Sequence, residues 1–372
     1  MALSANAQVN HYVDQELREF PVAASVHIYA GGNAGLDPAG YLKAFEPGDF
    51  FAGIAYEESD NSSGTAGAKK CRVYVTGDFE LTITSVALTD ADAPVFATAD
   101  NGQALTGHPD AYMGKVVHYL AANTAIVRLR EWGEKPPNGV GSIDIDIDLA
   151  RQVFAALDEG TATSVVLGGL LKTACIGAGL TAGTTGLLFS EAAGALRMLI
   201  DNDNEAQNLT IETPQVFNIT KGITFETELT LEAAGGAATD DLDFGLMGLA
   251  GGITATERAD MDAATAGLLS GKFHVDANGL DLKFSSDDNA SPVAATDTEV
   301  NLVLQTFNKF KAICRAAGTV EVWVDGVRKL STTTFSVGAA GLLAGIVNIE
   351  KSTGTGVPEV RVKKLRVAGA IA

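Results

Sequence analysis

The stretch Phe50-Phe-Ala-Gly-Ile-Ala-Tyr-Glu-Glu58, then a polar segment Ser59 to Lys70, then Cys71-Arg-Val-Tyr-Val-Thr-Gly-Asp-Phe-Glu-Leu81, decides how the first third of the chain folds. Apolar or aromatic residues recur at every second place: Ile54 with Tyr56, then Cys71, Val73 and Val75, then Phe79 with Leu81. That is the period of a strand with one buried face, so the two arms read as a hairpin and the Gly/Ser/Asn-rich segment as its tip. Gly53 and Gly77 stand where a strand bends or another backbone comes close, places where a Cβ is unwelcome.

Outward from the hairpin the same alternation continues. Strands are predicted at Val26 to Tyr29, Ala34 to Leu36, Tyr41 to Phe45, Glu80 to Leu88, Pro94 to Ala97, Lys115 to Leu120 and Ala125 to Leu129. Between them lie turns such as Gly31-Gly-Asn33 and Asp37-Pro-Ala-Gly40, so this part reads as a small barrel or sandwich. Residues 1–20 are polar and lack strand alternation, so they read either as an arm, with a short helix or arm around Val13 to Arg18, or equally as a frayed terminus. His27 and His118 fall in strand segments with no acid or thiol at ligand spacing, so both read as packed or surface side chains.

The clearest break is Glu131 to Ser142, where Lys135-Pro-Pro-Asn-Gly139 stops helix and sheet alike. It divides a domain at 1–131 from a linker and connecting segment at 132–185. Within that segment Ile143-Asp-Ile-Asp-Ile-Asp148 alternates strictly and predicts a strand with an acidic face, and Leu149 to Leu157 has helical spacing. The apolar tract Val165 to Leu188 is interrupted by Lys172 and rich in glycine and threonine, which argues for buried β-structure rather than a membrane span.

Residues 186–372 alternate again. Strands are expected at Ala195 to Ile200, Gln215 to Asn218, Ile223 to Leu231, Asp243 to Leu249, Gly271 to Val275, Leu280 to Phe284, Lys309 to Arg315, Val320 to Val327, Leu342 to Glu350 and Val360 to Val367. With the Asp325-Gly326 hairpin turn they predict an antiparallel β-sandwich. The fold class is therefore mainly β.

The 372 residues carry a formal charge of −20, which argues against a nucleic-acid partner, since phosphates need clustered Lys and Arg. Cys71, Cys175 and Cys314 are odd in number and far apart, and read as buried thiols kept reduced. The start has no basic region followed by an apolar core, so no secretory signal is expected.

No catalytic constellation emerges. Glu226 and Glu228 share a strand face but lack the further acids and the aromatic platform of a glycosidase, and Trp132 and Trp323 are the only tryptophans. The loops holding Asp240 and Asp241, and Asp287, Asp288 and Asn289, are where a calcium ion or a glycan would bind if either did. Such loops are also ordinary turn chemistry, so no cofactor is expected.

Two resemblances sharpen this. The ordered series Met1-Ala-Leu-Ser-Ala-Asn6, His11-Tyr-Val-Asp-Gln-Glu-Leu17, Phe20-Pro-Val22, Gly35-Leu-Asp-Pro-Ala-Gly-Tyr41, Gly48-Asp49 and the hairpin resembles the capsid-cement (head decoration) proteins of tailed bacteriophages, over residues 1 to about 129. The resemblance implies a non-enzymatic virion protein on the outer surface of the capsid, made in the host cytoplasm, bound to the major capsid protein and self-associated as a homotrimer. His11, Tyr12, Val13, Leu17, Phe20, Phe50, Phe51 and Tyr56 would be its contact residues. The run Thr227-Glu-Leu, Phe244-Gly-Leu, Phe310-Lys-Ala-Ile, Val322-Trp-Val-Asp-Gly-Val327 and Leu342 is similar to concanavalin-A-like, laminin-G-like jelly rolls, in which the Trp-x-Asp-Gly strand carries an outer sheet edge. The alternative function is a carbohydrate-binding module or inactive glycosidase-like lectin, anchored by its first domain and binding host-surface glycans.

Overall fold

In the computed structural model, residues 6, 16–130, 143–148, 165–167, 171–176, 188–192, 194–200, 202, 204, 207–234, 240–250, 252–253, 267–276, 280–351 and 353–370 are described. The chain divides into two compact units. The first is Met1–Asp144 with Lys221–Ile223 and Ala368–Ile371, and the second is Ile145–Thr220, Thr224–Val367 and Ala372. Both are built of antiparallel strands, the mainly β class that the alternation predicts.

In the first unit the decisive stretch does form a hairpin. Phe50–Ala55 runs antiparallel to Lys70–Tyr74, with Ile54 opposite Tyr74 and Ala55 opposite Val73. This pair lies inside a sheet ordered Leu17–Pro21, Lys70–Tyr74, Phe50–Ala55, Asn33–Leu36, Leu42–Ala44. Beyond Val75 the second arm changes sheet: Gly77–Thr82 is the edge of another, followed by Thr124–Leu129, Tyr112–Ala121, Pro94–Ala99 and Gly102–Ala104. The polar tip has its own structure, because Ser59–Asn61 pairs with Val26–Ile28. The buried Asn61 amide donates to Ala23 O at 2.8 Å and Thr65 O at 2.9 Å, which closes the loop.

Gly53 explains how one strand serves two cores. Its φ is +147°, and a Cβ there would stand 2.2 Å from Tyr74 O. The register also shifts on the neighbouring strand between Ala34 and Gly35. Around this irregularity Phe51 and Ile54 turn to a core with Phe79, Phe96 and Tyr112, whereas Ala52 and Ala55 join Val22, Leu42, Cys71 and Val73.

One expectation is overturned. Leu17 and Arg18 belong to a strand, not a helix, because Leu17–Pro21 gains a ladder against Lys70–Tyr74 in which Leu17 faces Tyr74 and Phe20 faces Cys71.

The described residues of the second unit form two nine-stranded sheets. One is ordered Leu188–Ala192, Ala195–Leu199, Glu359–Gly369, Ile223–Ala233, Asn308–Cys314, Thr319–Val324, Val327–Lys329, with Ile143–Asp148 paired to Glu359–Gly369 and Phe335–Ser336 paired to Thr319–Val324. The other is ordered Val165–Leu167, Leu171–Ile176, Gln207–Glu212, Leu342–Lys351, Asp240–Gly248, Leu269–Asp276, Asp281–Asp287, Val293–Asn301, with Phe217–Asn218 paired to Leu342–Lys351. They pack face to face: Phe310 of the first lies 4.8 Å from Phe244 and 5.5 Å from Phe273 of the second, ring centre to ring centre. Gly345 leaves the gap that Val367 and Phe225 fill from across the interface, where a Cβ would come within 2.2 Å of Val367. The arrangement is a jelly-roll-like sandwich.

The strict Ile/Asp alternation is a strand, Ile143–Asp148, as predicted. In the apolar tract, Val165–Leu167 and Leu171–Ile176 are strands, as its reading as β-structure predicts, and extend a sheet through Gln207–Glu212. Those apolar residues find ladder partners, and among the described residues no helix is long and apolar enough to cross a membrane. Asp325 and Gly326 take φ of +49° and +76° in a two-residue turn between Val324 and Val327, and the strand that follows is the sheet edge. The helix expected at 149–157, the break at 131–142 and Trp132 lie outside the described residues. Cys71 and Cys314 are buried, and burial pushes both thiols up to about 12.

Candidate functional site

The residues expected to contact a partner separate sharply. Leu17 and Tyr56 are exposed (38% and 42%) and are linked through Tyr74, which pairs with Leu17 across the ladder and meets the Tyr56 ring edge-on at 5.3 Å. Arg72 lies over the Tyr56 ring at 4.7 Å and is held there by Glu57, through bonds of 3.0 and 2.7 Å to its two oxygens. The charge-assisted fork with Arg72 holds the Glu57 carboxyl below its ordinary pKa range. The result is an apolar rim with an oriented cation beside it.

The other expected contacts do not join this rim. Phe20 is on the opposite face of its strand, packed against the core that contains Cys71, and Phe50 lies beneath the buried Arg130 guanidinium at 4.7 Å. Phe51 is a correction: at 3% exposure it is part of the hydrophobic core and cannot reach a partner. His11, Tyr12 and Val13 lie outside the described residues. Sequence reading passed over Tyr74 and Arg72, although both stand in the alternating arm. Which residues of that arm meet Tyr56 depends on cross-strand register, which the alternation leaves open.

A polar clasp lies elsewhere on the same unit. Asn6 donates to Glu58 Oε2 at 2.9 Å and accepts from the Ala30 amide at 3.2 Å, while His27 Nε2 lies 2.8 Å from Glu58 Oε1. Asn6 first, then His27, holds the Glu58 carboxyl below its ordinary range. A lowered carboxylate contributes its stabilisation above the unfolded value, roughly 4.3, and loses it as the pH falls through the lower folded value. The clasp is therefore expected to stay closed from neutral pH to about pH 4 and to open below. The Ala30 amide resonance should shift over that acid range in the native chain, and in Glu58→Ala should already stand at its low-pH position at pH 7.

Of the two expected acidic loops of the second unit, the one at Asp287, Asp288 and Asn289 is a turn that satisfies itself. Asp287 accepts from the Asn289 amide at 2.7 Å, and Asp288 from those of Ala290 and Ser291 at 3.0 and 2.7 Å. These amides, Ser291 first, hold the Asp288 carboxyl below its ordinary range. Asn289, at φ +63°, accepts from the Gly267 amide at 2.7 Å. Asp240 begins a strand and Asp241 is its neighbour, so the expected Asp240 and Asp241 pair stands on a ladder rather than a loop.

Glu226 and Glu228 are ion-paired and half-buried. Glu226 meets Lys311 at 2.7 Å and Arg366 at 3.6 Å, and Glu228 meets Lys363 at 3.6 Å. They belong to a face of alternating charge with Glu232, Arg361, Glu359 and Arg197. Trp323 is buried, so it offers no stacking platform.

The feature that sequence reasoning missed crosses the other sheet, on the side opposite the core-facing Leu242, Phe244, Phe273 and Val347. Thr210, Asn348, Asp243, His274 and Lys283 are successive register partners on five neighbouring strands. Thr210 donates to Asn348 Oδ1 at 2.7 Å, Asn208 bonds the same oxygen, and Asn348 donates to Glu350 at 2.8 Å. Asp243 is fully buried, with His274 Nδ1 3.0 Å and Lys272 Nζ 3.5 Å from its Oδ1. Burial pushes the Asp243 carboxyl up, but the Lys272 ammonium and His274 outweigh it and hold it below the ordinary range. An amine, a carboxylate and an imidazole are thus held together out of water.

No protein-family model matches the chain, and no curated protein matches it. Among solved structures it is similar to the carbohydrate recognition domain of Emp47p, at 13% identity and a TM-score of 0.38, over 50% of this chain and 87% of that one. It is also similar to alginate lyase PA1167 from Pseudomonas aeruginosa, at 11% identity and a TM-score of 0.34, over 48% and 84%. A structure described with human gut microbiota endo-acting O-glycanases that initiate mucin breakdown is similar at 12% identity and a TM-score of 0.38, over 58% and 98%. With TM-scores this low, none of them bears on what this chain binds or does.

Proposed function

We propose that the chain is a non-enzymatic phage head decoration protein. Its first unit docks on the outer capsid surface across joints between major capsid subunits, and its sandwich is presented to the surroundings for trimer contacts or adhesion to surface glycans. The observation that carries this is in the first unit. The described segments among those that resemble capsid-cement proteins belong to one compact β unit, and two of its exposed large apolar side chains, Leu17 and Tyr56, gather around Tyr74 with Arg72 oriented alongside. Such a rim suits a modest interface of aromatic and Arg anchors, the residue types that dominate binding energy. Repeated over many copies, binding that favours the assembled shell raises the heat or force needed to take it apart.

The test is co-sedimentation of the full chain with assembled shells that lack it, followed by heating. The shells should retain the protein and come apart at a higher temperature than bare shells. Tyr56→Ala should weaken retention about thirtyfold, the equivalent of about 2 kcal/mol at a central anchor. A folded chain that stays in the supernatant, or shells equally heat-stable with and without it, would remove the proposal.

A further inference from the structure

The buried amine and carboxylate of the second unit have a geometry that an ordinary surface ion pair does not. Lys272 and Asp243 are 4% and 0% exposed. They stand on adjacent strands, Leu269–Asp276 and Asp240–Gly248, whose register runs unbroken from Asp241 opposite Asp276 to Gly248 opposite Leu269. The backbone therefore holds the two side chains diagonally across one ladder, with Nζ 3.5 Å from Oδ1. The second carboxylate oxygen of Asp243 is buried with no hydrogen-bonding partner among the described residues. His274 touches the reacting carboxylate at 3.0 Å through Nδ1 and reaches toward Asp241 at 4.0 Å through Nε2.

We propose that this is a self-modification site, at which Lys272 Nζ and Asp243 Cγ condense to a side-chain amide that ties the two strands covalently. The chemistry is internally balanced. In the resting pair Lys272 is an ammonium and Asp243 a carboxylate. Moving one proton from Nζ to the carboxylate leaves a neutral amine beside a neutral acid. The ion pair remains the resting state, and exclusion of water only narrows the gap to this transient neutral pair, because neither charge is hydrated there. The amine lone pair then attacks Cγ, forming the C–N bond. His274, whose Nδ1 touches Oδ1, relays the proton released by nitrogen to Oδ1, which already carries the first proton, and the Cγ–Oδ1 bond breaks to release one water, leaving Oδ2 as the amide oxygen. An ammonium and a carboxylate become an amide and water, with no oxidant or reductant. The fold contributes what free amines and acids lack: fixed approach, which converts a bimolecular step into an intramolecular one, and exclusion of bulk water, which favours condensation over hydrolysis.

The experiment is the intact mass of the purified full chain, unfolded before measurement, with a tryptic digest. The mass is expected to be one water lower than the sequence requires. Trypsin should leave the Lys272 bond uncut and yield one branched peptide that joins the segments containing Asp243 and Lys272. Lys272→Arg, whose guanidinium is not a nucleophile, should restore the full mass. In material refolded from the unlinked chain, His274→Ala should slow the mass loss about a hundredfold, the usual contribution of a positioned proton-transfer group. Full mass with cleavage after Lys272, or loss of an ammonia instead, which would mean that an amide side chain and not Asp243 is the acceptor, overturns the site. An unchanged rate in His274→Ala overturns the relay.

Discussion

Phe273→Ala is expected to cost the second unit about 3–5 kcal/mol, the range for removing a fully buried aromatic ring. Phe273 is wholly buried, stacks on Phe244 at 5.0 Å and meets Phe284 and Phe310 edge-on at 5.0 and 5.5 Å. Phe284 in turn meets Phe335 at 4.9 Å. Four other rings from both sheets are thus chained through this one, and they cannot close over the space it leaves without abandoning their own contacts. Urea unfolding followed by far-UV circular dichroism should show a lower midpoint with an unchanged slope. A loss under about 1 kcal/mol would mean that the rings repack and that the sandwich is held elsewhere.

Gly114→Ala should cost the first unit roughly 3 kcal/mol, because backbone strain and a backbone clash act together. Gly114 has φ +152°, and an added Cβ would lie 1.9 Å from Arg128 O on the neighbouring strand. The obstacle is main chain, so no side-chain rotation relieves it. Relief requires opening the ladder between Tyr112–Ala121 and Thr124–Leu129, which carries Met113, Val116 and Val127 of the core. As a control, Gly40→Ala, at φ +85° with nothing within 4 Å of the added atom, should cost only the intrinsic left-handed penalty, about 1 kcal/mol. Equal losses at the two sites would show that the clash is absorbed.

The contrast between these sites also shows what the sequence discloses. Strand positions were legible because alternation is a local property: Ile143–Asp148, Ile223–Ala233 and the Asp325-Gly326 turn lie where the pattern puts them. Val293–Asn301 escaped because polar residues recur through it without an apolar period, and Gln207–Glu212 because its alternation rests on Leu209 and Ile211 alone. Phe51 and Ile54 share a core because a bulge at Gly53 breaks the two-residue period, and a rule that assumes the period cannot foresee where it fails. The Asp243, Lys272 and His274 cluster was hidden differently. Each residue fits an alternating strand, but only register across three strands brings Asp243 to His274 and then to Asn348. The rim of Leu17, Tyr74 and Tyr56 was half visible for the same reason: its members are far apart in sequence and adjacent only after pairing.

The strand order of the sandwich bears on how the molecule is made. Glu359–Gly369, the last strand of its unit to leave the ribosome, lies in the interior of its sheet, between Ala195–Leu199 and Ile223–Ala233. Until it emerges, two unsatisfied edges wait on the nascent chain, and the non-local pairings that close them are slow to form. A polypeptide truncated before this strand would therefore be a target for proteolysis and clumping rather than a shortened working copy.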